Sequence, residues 1–169
     1  MNIGTVSRFA LAVATTLSLA RPAAAQQYLL GGTAELGSGL VGGGSGSAII
    51  ERARTRLRLA LDLRVDEFPK DIFAIGMVAE IEPHSSFGID LRYLRKVSAK
   101  VDVNAGAVGF IYPQSLVGPS AGLDYHLKLS EGLDVVIGPE LDVFIIGTDL
   151  PSNSVLWQAL LQAGIHVDL

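Results

Sequence analysis

The stretch Arg52-Ala53-Arg54-Thr55-Arg56-Leu57-Arg58-Leu59-Ala60-Leu61-Asp62-Leu63-Arg64 sorts itself by parity. Arg54, Arg56, Arg58, Ala60, Asp62 and Arg64 take the even positions, and Thr55, Leu57, Leu59, Leu61 and Leu63 take the odd ones. Side chains alternate between two faces in this way only along an extended strand, so the segment is read as a strand with one charged and one apolar face. The same period predicts eight strands, over about 28–40, 52–65, 72–82, 86–95, 99–111, 119–129, 133–146 and 154–169. Leu156, Leu160 and Leu161 would also suit a helical face, but Ile165, Val167 and Leu169 carry the alternation onward. Turn formers gather between the strands, in Asp66 to Asp71, Glu82 to Ser86, Ser130-Glu131-Gly132 and Gly147 to Asn153. The glycine-rich run from Leu40 to Ser47 is followed by no Gly-Lys-Ser/Thr, so it reads as a hairpin loop and not as a phosphate cradle.

Composition removes whole classes. With 169 residues, 49% of them hydrophobic, 18% charged and a formal charge of −4, the chain is too apolar for disorder and too acidic for an electrostatic nucleic-acid binder. The length suits one domain, and without cysteine no disulfide framework is available. Met1–Ala25 reads as a secretory signal, with Arg8, an apolar run from Phe9 to Ala20, and Ala23-Ala24-Ala25 before Gln26. The expected organisation is a signal peptide over 1–25 and a single barrel domain over 26–169, with 11 basic and 17 acidic residues left in the latter. Mean hydropathy is high, at +0.42, yet beyond the signal no uncharged apolar run reaches the ~20 residues of a spanning helix.

Alternation by itself does not say which face looks inward, since a soluble barrel is apolar inside and a membrane barrel apolar outside. The odd positions 53–65, 73–81, 87–93, 101–111, 121–129, 133–145 and 155–169, 42 in all, hold no Asp, Glu, Lys, Arg or His, a purity that suits hydrocarbon. The even face carries Arg54, Arg56, Arg58, Arg64, Arg92, Lys100 and Lys128 against Asp62, Glu80, Asp90, Asp102, Asp124, Asp134, Glu140, Asp142 and Asp168, a near balance that suits an enclosed ion-pair network. Six strand glycines share that even face, and a closed barrel of eight strands, only about 8 Å in backbone radius, needs such small neighbours beside Arg side chains. Eleven residues tilted by ~40° rise about 28 Å, enough for an apolar band of ~25 Å. Leu57, Leu59, Leu61, Leu63, Trp157, Leu161 and Ile165 are therefore expected to face lipid.

On these features the chain resembles the small eight-stranded outer-membrane β-barrels of Gram-negative bacteria, of the OmpA and OmpX type. The resemblance implies an all-β, antiparallel, up-and-down transmembrane barrel with a polar, ion-paired interior, exported to the bacterial outer membrane. It also implies contact with outer-membrane lipids and lipopolysaccharide, help from the outer-membrane insertion machinery, and termini on the periplasmic side. Tyr28, Phe73 and Tyr93 would then fall near the periplasmic rim and Phe87 and Trp157 near the outer one, with Tyr125 closer to mid-depth. Such proteins usually end in an aromatic residue, where Leu169 stands here, and Pro139 inside the seventh strand implies a bulge.

The charged positions read as structure before chemistry. Arg54, Arg56 and Arg58 suit an anion path, but so narrow a lumen is normally filled by side chains and its charges paired. His126 between Asp124 and Lys128, and His166 beside Asp168, lack a compact metal-ligand spacing, so neither a metal nor a cofactor is expected. His84, Ser85, Ser86, Ser115, Asp149 and Ser152 are the candidates for a lipid A-modifying enzyme, although Ser and Asp in loops usually form turns. The reading is thus a non-enzymatic outer-membrane barrel with a structural, surface-contact or limited-permeability role. The alternatives are a secreted lipocalin-like barrel around an apolar ligand, and the lipid A enzyme.

Overall fold

A computed structural model describes residues 28–43, 49–53, 55–81, 85–113, 115–148, 150 and 154–169. The expected signal segment, residues 44–47 of the glycine-rich run, Arg54, His84, Asp149 and Ser152 lie outside the described residues, while residues 40–43 of that run are strand and not the expected loop. All regular structure among the described residues is strand: β1 (Tyr28–Gly43), β2 (Ile49–Arg52), β3 (Arg56–Val65), β4 (Asp71–Glu80), β5 (Ser86–Lys96), β6 (Val101–Tyr112), β7 (Leu116–Ser130), β8 (Leu133–Phe144), β9 (Ile146–Gly147) and β10 (Leu156–Asp168). β2 prolongs the stave of β3, and β9 that of β8, so the ten segments build eight staves. Every neighbouring pair is antiparallel, and β1 pairs with β10 from Gly31↔Asp168 to Gly43↔Leu156, which closes the sheet into a barrel.

The register sets the barrel's shape. From Leu30, the directly opposite residues run Leu63, Phe73, Tyr93, Ala105, Ala121, Leu141 and Ala159, and the path re-enters β1 at Leu40, ten residues along. Eight staves with a shear of ten tilt by about 40° around a radius of about 8 Å, a lumen that side chains can fill.

Parity assigns the faces as the alternation predicts. Arg58 and Asp90 are 3% and 0% exposed, while Leu59, Ile75 and Met77 are 45%, 57% and 68% exposed on the outer wall. Polar side chains thus fill the inside and apolar ones cover the outside, the reverse of a soluble barrel. The inward glycines do more than leave room. A Cβ on Gly138 would lie 1.6 Å from the Leu123 carbonyl oxygen, so the coiled strands approach there more closely than any other residue allows.

Bulges modify the pattern at the edges. One extra residue between β2 and β3 turns Arg52 outward and Ala53 inward, where it is 2% exposed, so position 53 leaves the outward set to which its odd number assigned it. A second extra residue follows Phe144, after which Ile146 faces Val117 and both Ile145 and Ile146 are exposed. Pro139 does not make the expected bulge. Its pairing with Leu161 stays in register, and the missing N–H is accommodated where the β7–β8 pairing lapses at Leu123 and Asp124. Tyr125 stands opposite Val101, the first residue of β6, and so belongs to the rim near the chain's first described residues instead of mid-depth.

Candidate functional site: the ion-paired lumen

The middle of the lumen is crossed by a chain of ion pairs from facing staves. Arg56, on β3, donates to Glu140 at 3.2 Å and to Asp142 on β8, to Glu80 on β4 at 3.2 Å, and to the Gln158 amide oxygen on β10. Arg58 donates to Glu35 on β1 at 2.9 Å and to Asp90 on β5. Arg92 joins the two halves, with Nε 2.7 Å from Asp90 and Nη2 against Glu140. Three guanidiniums are thus shared among five carboxylates, and each of these eight side chains is at least nine-tenths buried. Desolvating so many charges costs several kcal/mol per ion, which only multiple short contacts offset. Planar guanidinium groups with several fixed donors supply them.

An apolar layer caps this network toward the end of the barrel where β1 finishes. Val78, Val108, Phe110 and Phe144 form a cluster 0–2% exposed, against which Leu116, Leu150 and Leu156 pack. The Phe110 and Phe144 rings lie 5.9 Å apart, and the Arg56 guanidinium carbon sits 5.3 Å from the Phe110 ring centre. Cation and ring attract here, so the cap and the network interlock.

Toward the other end the filling loosens into a cavity of about 50 Å³, lined among others by Thr33, Arg64, Asp102, His126, Asp134 and His166. His126 lies 3.3 Å from Asp102 and 3.5 Å from Asp134, and His166 lies 3.1 Å from Asp62 and 3.3 Å from Asp168. Thr33 donates its hydroxyl to Asp62, and Asn104 donates to Asp124 at 2.9 Å. Among the described residues no group of three His, Cys, Asp or Glu is placed to hold a metal ion.

The sequence candidates therefore separate into layers. Arg56, Arg58, Glu80, Asp90, Arg92, Glu140 and Asp142 meet in the network, while Asp62, Asp102, Asp124, His126 and Asp134 surround the cavity with half-buried Arg64. Lys100, Lys128 and Asp168 are exposed at its mouth. On the outer wall Leu59, Leu61, Leu63, Leu161 and Ile165 are exposed. Leu57 and Trp157 are half-buried, Trp157 because its ring lies over Gly42, where a Cβ would come within 2.6 Å of it.

Sequence reasoning missed Glu35, Asn104, Gln158, Gln162 and the phenylalanine cap. Glu35 was legible, because β1 runs Gly31, Thr33, Glu35, Gly37 and Gly39 along its inward face with the parity reversed. The cap lies at even positions throughout, hidden only by the assumption that the inward face is polar. Of the enzyme candidates described, Ser86 is buried and donates to Glu80 at 3.3 Å, and Ser115 hydroxyl lies 3.4 Å from that of Thr148. Among the described residues, neither is hydrogen-bonded to a histidine.

A closed eight-stranded barrel with ion pairs within and apolar side chains without has the architecture of a transmembrane β-barrel. Its fold is similar to that of the crystal structure of Neisserial surface protein A (NspA), with a TM-score of 0.54, 13% identity, and coverage of 86% of this chain and 99% of that one. A de novo designed transmembrane β-barrel aligns over 81% of this chain and 95% of its own, at 11% identity and a TM-score of 0.44. No protein-family model and no curated protein sequence matches the chain.

Proposed function

We propose that the chain is an integral outer-membrane barrel without enzymatic activity, whose closed lumen makes it a rigid mount for its end loops and a structural or surface-contact element of the envelope. The observation that carries this is the inverted polarity: a buried Arg56–Arg58–Arg92 network beneath a phenylalanine cap, inside a wall of exposed Leu, Ile and Phe. A lipocalin-like role needs the opposite interior, because an apolar ligand is not held among ionised side chains. The lumen also argues against free permeation, since an ion crossing it would displace both the network and the cap. On this reading the partners are outer-membrane lipids and lipopolysaccharide, with the insertion machinery acting during assembly, and the chain's first described residues lie on the periplasmic side.

The test is electrophoretic mobility in SDS with and without boiling, followed by planar-bilayer recording. A compact form that boiling abolishes, together with no stable conductance steps, is the expected result. A protein that stays soluble without detergent overturns the membrane reading, and steady conductance steps altered by Arg56→Ala overturn the closed lumen. Should lipid A mass change on expression and revert in a Ser115→Ala variant, the non-enzymatic reading fails.

A further inference from the structure

The outer wall is not uniform at the end where β1 begins. A groove of about 670 Å³ runs along it, with Phe73 and Tyr93 on one side and the small residues Ala105 and Ala107 beneath. The two rings stand 5.4 Å apart. One outward position beyond Tyr93 stands Arg95, whose side chain is 60% exposed and whose ion pair with Asp71 is long, at 3.8 Å. Asp71 already accepts the Tyr93 hydroxyl at 2.7 Å. Lys70, one residue earlier, pairs through its carbonyl oxygen with the Lys96 amide at 2.8 Å, and Lys96 lines the lumenal cavity, so that pair belongs to the inner face. An apolar trough therefore ends at an exposed, weakly engaged guanidinium.

A second groove on the same wall supplies the contrast. It is larger, about 740 Å³, and crosses Gly32 and Ala34 between Leu59 and Ile165. The outward positions beyond it are Leu30, Leu63, Tyr28 and Val65, none of them charged. Both grooves suit an acyl chain, but only the first joins a cation to it.

We propose that the Phe73–Tyr93 groove is a binding site for an anionic glycerophospholipid, with an acyl chain laid over Ala105 and Ala107 and the phosphate received by Arg95. The proposal rests on the membrane reading above and names a lipid partner for it. Charge complementarity selects the class: a headgroup of net negative charge satisfies Arg95, whereas a zwitterionic one returns its own ammonium to the same place.

The experiment is native mass spectrometry of the full chain in mild detergent, offered phosphatidylglycerol or phosphatidylethanolamine of equal chain length. Wild type is expected to retain phosphatidylglycerol about fivefold better, the factor that corresponds to ~1 kcal/mol for one cation at an anionic lipid surface. Arg95→Gln abolishes the preference, Asp71→Asn strengthens it by removing the competing carboxylate, and Arg52→Gln, an exposed cation far from the groove, leaves it unchanged. Equal retention of the two lipids by wild type, or a preference that survives Arg95→Gln, overturns the site. The boiled and unboiled mobility of the same sample separates the two readings: without a heat-sensitive compact form, the membrane barrel itself fails and the lipid site with it.

Discussion

Replacing Arg56 by Met keeps most of the side chain's length and removes its charge, in a residue only 1% exposed. Glu140 keeps Arg92, but Asp142 loses its ion-pair partner, and the Gln158 oxygen loses its donor. Removing one partner of a buried ion pair costs about 3–5 kcal/mol, because the stranded carboxylate stays desolvated. The fit of the methionine stem against Phe110 recovers little of this, so a loss in that range is expected. Urea unfolding in detergent micelles, followed by fluorescence of the single tryptophan, Trp157, measures it. With a slope near ~2 kcal/mol/M the midpoint falls by about 2 M. Arg56→Met combined with Asp142→Asn is expected to cost less than the sum of the two single changes by more than ~1 kcal/mol, since the second removes the charge that the first strands. A loss below about 1 kcal/mol for Arg56→Met, or strict additivity of the pair, refutes the argument that this guanidinium holds the lumen together.

Three further outcomes are expected. Leu59→Arg places a charge on the outer wall at a cost of about 2–4 kcal/mol and impairs assembly into vesicles, whereas Ala60→Ser, on the inner face, assembles normally; a protease-protection assay that finds the two alike contradicts the facing. Gly138→Ala drives a methyl into the Leu123 carbonyl and is expected to lower the yield of the compact form in SDS, while Gly32→Ala, with nothing within 4 Å of its new methyl, leaves it unchanged. Glu35→Ala leaves Arg58 with Asp90 as its remaining ion-pair partner and lowers stability by about 3 kcal/mol in the same urea titration, against less than about 0.5 kcal/mol for the exposed Glu131→Ala.

Strand positions, their number and the facing of seven staves were legible because period-two alternation is a local property. Each Leu in Leu57 to Leu63 declares its face through its immediate neighbours alone. The places that misled were those where one residue is added or the parity reversed: Ala53 and Ile146 beside bulges, and Glu35 on a first strand that carries its polar set at odd numbers. A bulge changes the register without altering composition, so nothing in the local sequence marks it. The phenylalanine cap was hidden for a different reason, since Phe110 and Phe144 sit at inward positions whose apolar character makes sense only once they are seen to meet across the lumen.

The sequence by itself determined that this is an alternating, all-strand chain with one uncharged face, because hydrophobic period and strand geometry are properties of a few adjacent residues. Only the tertiary structure decided which charges meet. Arg56 reaches Asp142, 86 positions away, because eight pairings around the barrel sum to a shear of ten residues that carries β8 and β10 to its level. That displacement belongs to the closed ring as a whole. No single strand holds it, and so no strand's sequence records it.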